Sequence, residues 1–126
     1  MSKEFVQQIV DGKLWEEVPA KNQVILCGDK LSLNALDVAF DTLEDRSADV
    51  IVTSSRIWKN MDEWGYGNAS MSVDGEIVKD MELLRAKEDQ VSIWGADIHI
   101  VDEIPENTLL VGSKSNNSFA KICIVE

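Results

Sequence analysis

Histidine occurs once in this 126-residue sequence, cysteine and proline twice each, and basic residues number only 12 against 23 acidic ones. The lone His99 has no second histidine with which to form an HxH or HxxxH metal pair. Cys27 and Cys123 lie far apart, each inside an apolar run, and read as small buried hydrophobes of a reducing compartment, with a bridge between them the lesser reading. Neither has a neighbouring basic group in sequence that would clearly favour its thiolate, and no G-x-S-x-G elbow is present, which leaves nucleophilic catalysis without a candidate. The shortage of lysine and arginine gives a formal charge of -11, which repels phosphate backbones and anionic lipid, so direct nucleic-acid or membrane binding is not expected. No stretch approaches the roughly 20 apolar residues of a membrane span, and Met1-Ser2-Lys3-Glu4 opens no signal-like region, so synthesis in the cytoplasm is expected.

What is present suits one folded domain over 1–126. The apolar fraction is 44% and the charged fraction 28%, ordinary for a globular chain long enough to bury one core. Val6, Ile9 and Val10 are spaced for a short helix closed by Asp11-Gly12, although residues 1–22 hold the weakest pattern. Gln23 to Cys27 reads as a buried strand. Ser32 then caps an amphipathic helix through Leu33, Leu36, Phe40 and Leu43, with Asp37, Asp41, Glu44 and Asp45 mostly opposite. Val50-Ile51-Val52 is a β-branched run that predicts a strand buried on both faces. Thr53-Ser54-Ser55 caps a second helix through Ile57, Trp58, Met61 and Trp64, stopped by Gly65-Tyr66-Gly67, which follows a helix and so is no phosphate loop.

Residues 68–76 show no clear periodicity and read as a loop, and Ile77 to Lys87 as a third helix through Met81 and Leu84. Ile98 and Ile100 alternate with Asp97 and His99, the pattern of a half-buried strand. Residues 102–107, Asp-Glu-Ile-Pro-Glu-Asn, end it, because Pro105 lacks an N–H and Asn107 tolerates turn geometry. Thr108 to Val111 and Phe119 to Val125 supply two more strands, and Trp94-Gly95 marks a corner where backbone bends or approaches closely. The fold class expected is α+β, a central mixed β-sheet flanked by two or three helices.

The order of these parts resembles the axial domain of tailed-phage major capsid proteins, the fold shared with encapsulin shells. Val50-Ile51-Val52-Thr53-Ser54-Ser55-Arg56-Ile57-Trp58 is similar to the family's passage from strand through a polar turn into an aromatic-bearing helix. Ile93-Trp94-Gly95 and Thr108-Leu109-Leu110-Val111-Gly112 stand where members carry a Trp-Gly pair and a later strand ending near glycine. The likeness spans about residues 30 to 114. Members are usually more than twice as long and carry an arm, an extended loop and a peripheral domain with no counterpart here, and Ser54-Ser55 stands where many have Asn-Pro. The resemblance therefore implies a free-standing relative, a prophage remnant or one piece of a larger coat protein.

It also implies non-enzymatic work by protein–protein assembly with copies of itself or a larger coat protein, no cofactor, and residence in a virion or capsid-like shell. The interface candidates are surface-loop residues: Gly67, Asn68, Ser70, Met71, Asp74 and Glu76 in the first loop, and Asp102, Glu103, Pro105, Glu106 and Asn107 in the second. Two other readings stay open. One is an acidic adaptor or DNA mimic, which needs the carboxylates gathered in one surface band. The other is a small enzyme with a metal held by Asp97, His99 and an acid from Asp102-Glu103.

Overall fold

The computed structural model describes residues 3–16, 24–27, 33–43, 48–60, 71–74, 76–78, 83, 86, 90–114 and 118–124. The helical elements spanned by described residues are α1 (Lys3–Gly12), α2 (Leu33–Thr42) and α3 (Ser55–Asn60). Eight strands accompany them: β1 (Val24–Cys27), β2 (Val50–Thr53), β3 (Met71–Val73), β4 (Glu76–Ile77), β5 (Val91–Ile93), β6 (Ala96–Ile100), β7 (Thr108–Ser113) and β8 (Ser118–Ile124). They form one mixed sheet in the order β1-β8-β7-β2-β6-β5-β3-β4, parallel at β1/β8 and β2/β6 and antiparallel elsewhere. The α+β class and the mixed sheet expected from sequence are both present.

The β-branched run of β2 explains its place. All four of its residues are buried, Ile51 toward one face and Val50 and Val52 toward the other, so it can sit only where both faces are covered. On the first face Leu36, Ala39, Phe40 and Leu43 of α2 and its flank join Ile57 and Trp58 of α3 over Ile51, Ile93, Ile98, Leu109, Val111 and Ile122. Each fully buried leucine or isoleucine contributes about 1.5–3 kcal/mol relative to an exposed one. On the second face Phe5, Val6 and Ile9 of α1, with Trp15 from the short 3-10 turn Leu14–Glu16, cover Val50, Val52 and Leu110. Phe5 stacks on Phe119 of β8 at 6.0 Å, and Lys121 Nζ donates to the Trp15 carbonyl at 3.1 Å. The left-handed residue after α1 is Lys13 (φ 46), one position beyond the expected Asp11-Gly12 stop.

Two expectations change. From Met71 onward the segment read as a loop is a hairpin: β3 and β4 pair antiparallel around Asp74, whose φ is 52. Ile77, read as the start of a third helix, belongs to β4; Leu83 and Ala86 are helical, and the rest of 79–89 lies outside the described residues. Met61, Trp64 and the Gly65–Gly67 stop also lie outside them. The Trp94-Gly95 corner is a two-residue hairpin turn between β5 and β6 with both residues left-handed, φ 51 and 85. There the Trp94 ring meets Phe40 of α2 edge-on at 5.2 Å, tying the turn to the helical layer.

Candidate functional site

The strands flanking residues 102–107 are not neighbours. β2 lies between β6 and β7, so the loop crosses over the end of β2. Its polar sequence demands exposure while its ends are fixed by the sheet, and each element around it supplies an anchor. The Val101 amide donates to the Thr53 carbonyl at 3.0 Å, extending the β2/β6 ladder. Ile104 then turns inward, 3% exposed, as the loop's plug in the α1-side core. The Thr108 amide donates to the Pro105 carbonyl at 3.0 Å, closing a turn around Glu106 and Asn107.

Ser54 links this turn to α3. Its hydroxyl donates to the Glu106 carbonyl at 2.7 Å and accepts from the Ile57 amide at 3.2 Å, so one side chain caps the helix and holds the loop. Arg56 approaches the Glu106 carboxylate at 3.8 Å, an exposed contact that adds little beside that hydroxyl. At the other side the Ile124 amide donates to the Asn107 carbonyl at 2.8 Å, and Thr108 Oγ1 donates to Asn107 Oδ1 at 3.2 Å. The result is a loop held in place from three sides, with Asp102, Glu103, Pro105, Glu106 and Asn107 all exposed.

The first candidate loop divides. Gly67, Asn68 and Ser70 lie outside the described residues. Met71 is fully buried in β3, so as an interface candidate it is corrected to a core residue: its side chain faces the α2/α3 layer. Asp74 and Glu76 are exposed, at the turn and on β4. Strand directions bring the two candidate segments together. β3 runs parallel in sense to β6 through the two antiparallel steps at β5, so the Asp74 turn and the 102–107 loop lie at the same end of the sheet. β3 and β6 are two strand spacings apart, roughly 10 Å. Asp74, Asp102, Glu103 and Glu106 therefore lie at the same end of the sheet, where Arg56 also meets the Glu106 carboxylate. Sequence reasoning found both segments but not this meeting, which depends on a strand order no local pattern encodes.

His99 is half-buried on β6, paired in register with Val52 and on the same face as exposed Asp97. Among the described residues no group of three or more His, Cys, Asp and Glu side chains is placed to hold a metal ion, so Asp97, His99 and the Asp102-Glu103 pair do not converge. Among the same residues no helix is long and apolar enough to cross a membrane. No family model, curated protein or solved structure matches this chain.

Proposed function

We propose that this chain is a structural, non-enzymatic module similar to the axial domain of tailed-phage major capsid proteins, working by side-by-side packing with copies of itself or a larger coat protein. The reading rests on the sequence passages at Val50–Trp58, Ile93–Gly95 and Thr108–Gly112. The observation that carries it furthest is the anchored 102–107 loop, which holds exposed Asp102, Glu103 and Glu106 at the sheet end that the Asp74 turn shares. A loop already held in one conformation loses little entropy when a partner covers it, which suits a contact surface. Two such ends repel each other, so the contact is heterologous, the acidic end of one copy against a different surface of the next, and such contacts close into rings when the rotation between copies closes. Virion or shell residence follows on this reading.

Light scattering coupled to size-exclusion chromatography across a wide concentration range, with negative-stain imaging of early fractions, tests it. Closed rings or shells, disrupted by Asp102→Lys with Glu103→Lys, are the expected result. A strict monomer at every concentration, alone and mixed with candidate coat protein, removes the proposal.

A further inference from the structure

The sheet is open, and among the described residues no strand pairs with β4 beyond β3. The ladder decides what that edge offers. The Val78 amide donates to the Met71 carbonyl at 2.9 Å, which makes Met71 and Val78 a hydrogen-bonded pair, so the next pair, Ser72 and Ile77, is a non-hydrogen-bonded one. In such a pair the backbone N–H and C=O point away from the partner strand. Ile77 thus presents its amide and carbonyl outward beside a side chain that is 62% exposed, the most exposed of the large hydrophobic residues described.

Natural sheets blunt such edges with lysine, proline or bulges. Among the described residues the exposed charges flanking this edge are Asp74 and Glu76, both negative, on a chain of formal charge -11. These two carboxylates and the net charge of the chain repel a second copy and any acidic strand, and they attract a cationic one. We infer that the β4 edge accepts an extended, basic segment of a partner protein by strand addition, with backbone bonds to Ile77, a lysine or arginine facing Glu76 and an apolar side chain beside Ile77. The inference stands apart from ring formation: a chain that never self-associates still carries this edge, and a chain that assembles can lack the binding.

A capped hexapeptide alternating lysine and valine, titrated into the isotope-labelled full chain and followed by amide resonances, tests it. Saturable binding that shifts the Glu76 and Ile77 amides, and that a glutamate–valine counterpart fails to reproduce, is expected. Ile77→Pro is the discriminating variant, because the lost N–H points outward and takes no part in the β3/β4 ladder. It should abolish binding while the Val78 amide stays protected from exchange. Glu76→Lys, which leaves the backbone untouched, should weaken binding at least about tenfold. No saturable binding, equal binding of the glutamate peptide, or binding unchanged in both variants overturns the inference.

Discussion

Gly95 and Ser54 show how single positions fix this architecture. Gly95 sits at φ 85, and a Cβ built there meets no atom within 4 Å, so the whole cost of Gly95→Ala is conformational. Placing an L side chain in the left-handed region costs ~1 kcal/mol, and a loss of that size in urea denaturation, with an unchanged denaturant slope, is the expected outcome. Trp94 already bears such a cost at φ 51 and is offset by its edge-on contact with Phe40. Ser54 is 4% exposed and serves two partners. Ser54→Ala removes the α3 cap and leaves the Glu106 carbonyl without its donor, for a loss of about 2 kcal/mol. Hydrogen exchange should locate the damage, with the Ile57 amide and the 102–107 loop opening first. The serine was legible as a cap from its place before a helical pattern; its second bond, to a residue 52 positions on, was not.

At the level of elements, long patterns were readable and short ones were not. The α2 stripe and the alternation of β6 hold enough residues to show a period, the β2 run declares itself by β-branched composition, and each lies where it was expected. β3 and β4 have three and two residues, too few for any periodicity, and Ile77 with Met81 and Leu84 imitates a helical spacing. The available signal was the dipeptide Asp74-Gly75, a pair favoured in two-residue hairpin turns, and Asp74 takes the positive φ that such a turn asks of it. That mechanism separates two substitutions. Asp74→Asn keeps a side chain that tolerates the left-handed region and should leave the hairpin intact, whereas Asp74→Val places a β-branched residue at φ 52. Loss of protection at the Val78 amide in the valine variant alone, with the rest of the sheet unaffected, is the expected result.

For the whole molecule the governing quantity is the charge of -11 and where it gathers. The order of the sheet brings Asp74 to the same end as Asp102, Glu103 and Glu106, although 28 positions or more separate them in sequence. That is why the two exposed segments could be named from sequence and their common end could not. Salt acts on the two proposed contacts with opposite sign. Copies of one acidic chain repel at long range, and since the Debye length is about 10 Å at 0.1 M, added salt screens the net repulsion before it screens a close contact. Ring formation should therefore strengthen as ionic strength rises from about 0.05 to about 0.5 M, read as a lower concentration at the midpoint of assembly in light scattering. Binding of a cationic strand at β4 draws on attraction between unlike charges, so its affinity should fall over the same range while the outward backbone bonds of Ile77 leave a salt-insensitive remainder. Assembly that weakens with salt would mean that acidic-basic contacts outweigh the net repulsion between copies, and the search for the facing surface would then turn to the exposed lysines, beginning with Lys114 at the opposite end of the sheet.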